Sequence, residues 1–278
     1  MMSNNNKILA LKYRPQSFKD LIGQEIAAEI ILNGIQQNKT PNAYLLTGIR
    51  GVGKTTTARL IAKALNCNND FTKNIQCPKG TYCHCLEIAA SNHMDVIEID
   101  AASKTGIDDV REIIENAKYS PTSGKYKIFI IDEVHMLSKQ AFNGLLKTLE
   151  EPPPHSKFIF ATTEISKVPI TILSRCQRFD LKRVSVEKLF IHLRNISKKE
   201  KGNITEDALK LIARSSEGSV RDSISLLDRA LISQSIKEDK IIEENDIREM
   251  LGLADKSKVI SLIKEVLSGK EKEALNYL

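Results

Sequence analysis

The residues best suited to chemistry in this chain fall in one short run, Gly48-Ile49-Arg50-Gly51-Val52-Gly53-Lys54-Thr55. Gly-x4-Gly-Lys-Thr is the pattern of a phosphate-binding loop. Its glycines let successive backbone N–H groups face an anion, Lys54 reaches terminal phosphates, and the Thr55 hydroxyl ligates magnesium. An acidic pair, Asp132-Glu133, closes an almost wholly apolar run at 127–131. In that position a carboxylate stands at the carboxyl edge of a sheet, beside the loop. Asp132 is expected to hold magnesium, directly or through water. Glu133 is placed to polarise an attacking water, so the pair implies hydrolysis as well as binding. A glycine turn with a surface lysine, and an acidic pair that starts a helix, are the plainer alternatives. The strand-loop-helix context argues against the first, and the upstream loop against the second.

A second cluster is made of sulfur. Cys67, Cys77, Cys83 and Cys85 fall within 19 positions, and Cys176 stands apart. In a reducing compartment such a cluster points to metal rather than disulfides. Four thiolates suit one tetrahedral zinc ion at Zn–S distances of about 2.3 Å, and a bound ion replaces the core that a short insertion lacks. Unligated buried thiols are the alternative. Residues two apart in extended backbone point to opposite sides, so Cys83 and Cys85 need a local turn to reach one ion. His84 is the alternative ligand to one of them.

These groups need a scaffold, and the hydrophobic pattern supplies it. A strand at 43–47 runs into the loop, and Ala58, Leu60, Ile61 and Leu65 mark the helix that follows. Further strands are expected at 95–99, 127–131 and 157–162. Between them lie helices carrying Ile107, Val110, Ile113 and Ile114, then Phe142, Leu145, Leu146 and Leu149, the latter stopped by Pro152-Pro153-Pro154. Alternating strands and helices predict an α/β domain over 1–180, a parallel sheet covered on both faces, with the cysteine-rich insertion at 67–85. A helical domain over 181–242 follows, with Val220, Ile224, Leu227 and Leu231 on one face. A further helical stretch occupies 243–278, and Leu278 falls inside an apparent helix, which reads as a fragment boundary.

Of 278 residues, 41% are apolar and 27% charged, which excludes a disordered or fibrous chain. The balance of 41 basic against 35 acidic residues is compatible with an anionic partner but too diffuse to establish one. Apolar runs of four or five residues are far short of the roughly 18 that a membrane span needs. The polar start, Met1-Met2-Ser3-Asn4-Asn5-Asn6-Lys7, lacks a secretion signal, and the chain reads as cytosolic.

Several motifs occur in order: Tyr13-Arg14-Pro15, Gly23-Gln24, the loop at 48–55, Asp132-Glu133-Val134-His135-Met136-Leu137, Leu146-Lys147-Thr148-Leu149-Glu150-Glu151-Pro152-Pro153, Ala161-Thr162-Thr163, Ser174-Arg175-Cys176 and Gly218-Ser219-Val220-Arg221-Asp222. Together they resemble the AAA+ ATPase motors of bacterial clamp loaders, the gamma/tau family of DNA polymerase III, over nearly the whole chain. The resemblance implies an AAA+ P-loop domain with a zinc-binding insertion, a small helical lid, and the beginning of a helical collar. It implies ATP, Mg2+ and a structural Zn2+ as ligands. Thr163 is then sensor 1, orienting water near the γ-phosphate. Arg175 is a finger that reaches in trans into a neighbouring subunit's site, and Arg221 is sensor 2, carrying the lid onto the nucleotide. The ATP would contact Gly48, Gly51, Val52, Gly53, Lys54, Thr55 and Thr56 through its phosphates. Tyr13, Arg14, Ile22 and Gly23 would lie about its adenine. The family's cysteine pattern ends in two Cys-x2-Cys steps, from which Cys83-x-Cys85 departs.

Implied partners are delta, delta-prime and further gamma/tau copies, the sliding clamp and primer-template DNA, with no membrane, in a cytoplasmic, nucleoid-associated replisome. The segment Ala101-Ala102-Ser103-Lys104-Thr105-Gly106 would meet the DNA backbone without sequence preference, a capped helix start being the equal alternative. The implied function is an ATP-driven switch that opens the clamp and closes it on primed DNA. It would serve inside a polymerase holoenzyme, although nothing in the chain resembles nucleotidyl-transfer chemistry. A different AAA+ motor, such as a branch-migration helicase or initiator, and a non-hydrolysing scaffold are the alternatives. His135 gives the acidic motif a look of DExH helicases. The helical second half leaves no room for the second ATPase lobe those require, so His135 is expected to support the site or the fold.

Overall fold

In the computed structural model, residues 8–67, 83–236, 241–253 and 256–270 are described. Five parallel strands form one sheet: β1 (Ala43–Thr47), β2 (Val96–Asp100), β3 (Lys127–Asp132), β4 (Ser156–Thr162) and β5 (Gln177–Asp180), in the order β2-β3-β4-β1-β5. The middle strands are buried along almost their whole length, as parallel strands covered on both faces must be. The fifth strand was not legible in the pattern: only Phe179 of its four residues is buried, because it lies at the sheet edge.

Side-chain alternation divides the sheet between two cores. Tyr44, Leu46, Ile128, Ile130 and Ile159 face α2 (Glu25–Gln36) and α3 (Lys54–Asn66). Leu45, Phe129, Ile131, Phe158 and Phe160 face α5 (Ile107–Lys118) and α6 (Lys139–Glu150). Each of these fully buried side chains stabilises the fold by roughly 1.5–3 kcal/mol, so the sheet is a rigid platform. Register then fixes the site. Thr47 lies level with Thr162, and Asp100 with Asp132, so the strand ends that carry the motifs share one edge.

After the short α7 (Ile170–Leu173), the helical part consists of α8 (Val186–Lys199), α9 (Glu206–Ser215) and α10 (Val220–Ile236) around Leu189, Leu193, Leu209, Ile212 and Leu227. Ser185 and Thr205 cap α8 and α9, accepting from the amides of Lys188 and Ala208. Packing crosses the segment limits of the chain. Leu9 from α1 (Leu9–Lys12) and Ile242 and Ile247 around α11 (Glu244–Leu251) join this same core. The helix α12 (Lys256–Leu267) follows. Between the two halves, the Gln24 amide donates to the Lys182 carbonyl at 2.7 Å and accepts from the Lys182 amide at 3.1 Å. Among the described residues no helix is long and apolar enough to cross a membrane.

Candidate active site

The first strand delivers the chain to Gly48, and the loop turns into α3 at Lys54. Gly51 has φ +78°, and a Cβ there would lie 2.0 Å from Ser219 Oγ, so only glycine fits between loop and lid. Lys54 is 5% exposed, and its Nζ donates to the carbonyls of Gly48 and Ile49 at 3.0 and 3.1 Å. Burial lowers its pKa, opposed by the charges of Glu133 and Asp132. The first turn of α3 carries no acidic residue, which leaves its positive end suited to an anion.

Asp132 ends β3 facing that helix. Its carboxylate accepts from the Thr55 hydroxyl and, at 3.0 Å, from the Glu133 amide. Burial raises its pKa in spite of those bonds. Thr55 and Asp132 therefore offer two oxygens at one point, the donor set a magnesium ion takes beside phosphates. Glu133 sits in the left-handed region, φ 47° and ψ 45°, a strained backbone for a residue other than glycine. Its Oε2 accepts from the Thr163 amide at 3.3 Å and hydroxyl at 3.0 Å. Thr163 follows β4, which lies between β1 and β3, so loop, acidic pair and Thr163 come from three adjacent strands.

The lid closes the other side. The Arg221 amide donates to the Gly51 carbonyl at 3.2 Å, and the Arg221 side chain is exposed at the start of α10. Arg14 donates from Nε to the Thr56 hydroxyl at 3.2 Å; burial and then Arg59 lower its pKa. Tyr13 donates its hydroxyl to Glu200, and burial together with that carboxylate pushes its pKa up to about 12. Tyr13 and Ile22 pack against the lid core, and the Leu9 amide donates to Asp228 at 3.1 Å. A Cβ on Gly23, φ +74°, would press on Val184 at 3.1 Å.

Arg175 stands elsewhere. It precedes β5, whose Gln177 is level with Tyr44 and whose Asp180 is level with Thr47. The parallel register therefore puts Arg175 beside the end of β5 opposite the phosphate loop. Its guanidinium is held by the Glu150 carboxylate and by the Thr171 carbonyl at 2.6 Å.

Cys67 Sγ lies 3.5 Å from Cys83 Sγ, which lies 3.2 Å from Cys85 Sγ. The turn that the sequence requires is present: His84 has helical backbone and starts α4 (Cys85–Ala89), bringing both sulfurs to one side. Its ring packs edge-on against His93 at 4.6 Å. Cys77 lies outside the described residues. At 101–106, Ala101 is buried while Ala102 to Thr105 are exposed. The Gly106 amide is capped by Asp109, and Asp108 and Asp109 fill the first turn of α5, the arrangement of a capped helix start. That acidic turn disfavours a phosphate at the helix end itself.

Sequence reasoning passed over Gln24 as the clamp on Lys182, Thr162 and Glu164 beside His135, and the two-bond pair of Arg59 with Glu98 at 2.7 and 2.6 Å. Thr162 and Glu164 flank Thr163 at a strand end, a signal that was available. The Arg59–Glu98 pair joins residues 39 apart and leaves no local trace.

Three family models match the chain: DNA polymerase III, delta subunit, over residues 23–185, more than half of the length; DNA polymerase III clamp loader subunit, ATPase lid domain, over 188–235; and DNA polymerase III subunits gamma and tau domain III, over 242–278. DNA polymerase III subunit gamma of Buchnera aphidicola subsp. Schizaphis graminum is 47% identical, over 98% of this chain and 73% of its own. The chain belongs to the gamma/tau clamp-loader family of DNA polymerase III. The tau subunit of Escherichia coli is 44% identical over 94% of this chain but only 40% of its own length. The Mycoplasma genitalium gamma/tau subunit is likewise 44% identical, with 45% of its length covered. The chain thus spans about three quarters of the Buchnera relative and under half of the Escherichia coli and Mycoplasma genitalium ones. A solved Thermotoga maritima RuvB, a Holliday junction branch migration motor, superposes with a TM-score of 0.64 at 18% identity, covering 91% of this chain and 79% of that one. That likeness shows the AAA+ fold alone. As a member of the gamma/tau family, the chain carries the clamp-loader ATPase region and its lid domain.

Proposed function

We propose that this chain binds ATP with magnesium between the phosphate loop and the lid, hydrolyses it, and uses the change to open a sliding clamp and release it on primer-template DNA. The convergence of the Thr55–Asp132 and Glu133–Thr163 pairs on the edge that carries Lys54 supports this reading above all. Loop amides and Lys54 hold the phosphates, with Gly48, Gly51, Val52, Gly53 and Thr56 around them. Thr55 and Asp132 hold the metal, and bound magnesium neutralises charge on the phosphate oxygens. Glu133 takes the proton from the attacking water, and Thr163 orients that carboxylate. Arg221, at the lid position that touches Gly51, senses the terminal phosphate, while Tyr13, Arg14, Ile22 and Gly23 border the base.

Arg175 stands at the end of β5 away from its own loop, which supports a role in a neighbour's site. Turnover then requires assembly with delta, delta-prime or further gamma/tau copies in the cytoplasmic replisome. Lys104 is the exposed cation of the 101–106 segment and the candidate for a DNA phosphate contact. Cys67, Cys83 and Cys85, with Cys77, hold a structural zinc. Sulfurs around such an ion are spaced by ~3.8 Å, and the 3.5 and 3.2 Å separations fit a group that an ion would open slightly.

The deciding experiment is ATP turnover in the reconstituted complex with Lys54→Ala and Glu133→Gln. Both should abolish hydrolysis, Lys54→Ala by weakening binding and Glu133→Gln with binding kept. Unaltered hydrolysis in both would overturn the site.

A further inference from the structure

His135 lies in the single-turn 3-10 segment Val134–Met136, and its side chain is 6% exposed. Its Nδ1 is 3.0 Å from Thr162 Oγ1 and 3.4 Å from Glu133 Oε2. On the other side, Nε2 is 3.6 Å from Glu164 Oε1. Thr162 is fixed in turn, because its Oγ1 accepts the Glu164 amide at 3.0 Å and the residue is wholly buried. The imidazole is thus wedged between the ends of β3 and β4, with a hydroxyl and a carboxylate oxygen facing one nitrogen.

Glu133 shows a matching asymmetry. The Thr163 amide and hydroxyl, and His135 Nδ1 at longer range, all address Oε2. Among the described residues no donor meets Oε1. A carboxylate with one oxygen tied and the other free is arranged to take a proton at a fixed place. The strained Glu133 backbone brings the side chain to the strand ends but leaves its own torsions to be set by these partners.

We propose that His135 is a positioning residue for Glu133. With the proton on Nδ1, assigned from the Glu133 carboxylate beside it, the ring donates toward Glu133 Oε2. It acts with Thr163 to aim the free oxygen at water. This inference rests on the reading of Glu133 as the group that activates water. It gives the histidine of the Asp-Glu-x-His run a part in timing hydrolysis, and none in strand separation.

The test uses the full chain assembled with its clamp-loader partners. Steady-state kcat and KM for ATP, equilibrium ATP affinity and thermal melting are measured for H135N, H135Q, H135A and E133Q. Asparagine offers an amide donor near the place of Nδ1, glutamine near that of Nε2. H135N should keep kcat within about threefold, while H135Q and H135A should lose roughly 10- to 100-fold, the cost of a misplaced reacting group. ATP affinity should stay within about twofold throughout. Wild-type kcat in H135A, H135N no better than H135Q, or ATP affinity falling in step with kcat would each overturn the proposal. If H135A does not fold, the comparison of H135N with H135Q still decides. E133Q separates the two readings. Wild-type turnover in E133Q removes the role of Glu133 itself, whereas an inactive E133Q beside indifferent His135 variants removes only this inference.

Discussion

The amide and the hydroxyl of Thr163 both donate to one oxygen of Glu133, at 3.3 and 3.0 Å. A carboxylate held by the strand end next to it is sensitive to that strand's position. Thr163→Val removes the hydroxyl bond and keeps the amide one. A hydrogen bond to a charged group contributes about 1.5–3 kcal/mol, so single-turnover hydrolysis should slow by on the order of 10- to 100-fold with ATP affinity retained. Hydrolysis at the wild-type rate would show that Thr163 has no hold on the reaction.

Arg175 and Glu150 make the second prediction. Their pair is partly exposed, and such pairs contribute about 0–1 kcal/mol, so Glu150→Gln should leave the melting temperature almost unchanged. Arg175→Ala should lower hydrolysis in the adjoining subunit by roughly a thousandfold or more while its own subunit still binds ATP. Complexes mixed from one wild-type and one altered subunit separate the two sites. Loss of ATP binding by the altered subunit itself is the contrary result.

Asp95 anchors the turn before β3, accepting the amides of Thr122, Ser123 and Gly124 and the Ser123 hydroxyl at 2.7 to 3.1 Å. Burial raises its pKa, but these four donors outweigh burial and leave it below the ordinary carboxylate value. A depressed folded-state pKa contributes stability above the unfolded value of about 3.9, and that stability is lost as pH falls through the folded value. Asp95→Asn should therefore cost about 2–3 kcal/mol in urea melts at pH 7. The gap from wild type should narrow below about pH 4. A gap independent of pH would contradict the assignment.

The thiols give a chemical test of the zinc cluster. Burial pushes the Cys176 pKa up to about 12 and keeps that sulfur unreactive. Metal analysis should find one zinc per chain. A strong chelator should then expose Cys67, Cys77, Cys83 and Cys85 to a thiol reagent and lower the melting temperature, while Cys176 reacts only after denaturation. Four freely reactive thiols before chelation would exclude the ion.

Much of this was legible because parallel strands write themselves as apolar runs, and the phosphate loop is local. The runs ending at Thr47, Ile131 and Thr162 declared three of the strands that carry the site, and Gly48 to Thr55 declared its centre. Gln177 to Asp180 escaped since an edge strand needs only one buried side chain. Alternation in extended backbone made Cys83 and Cys85 look like a poor pair, and one helical residue, His84, removed the difficulty. Asp95 meets Gly124 29 residues on and Arg59 meets Glu98 39 residues on, so spacing along the chain carries no sign of them.

Tyr13 and Arg14 are neighbours moored to different bodies, the first to Glu200 of the lid and the second to Thr56 of the helix behind the phosphate loop. Their Cα atoms are about 3.8 Å apart, too short a tether to let the lid swing freely. With the Gln24–Lys182 clamp as the other attachment, the lid hangs like a door on two pins. A lid rotation that keeps both contacts turns about the line that joins them.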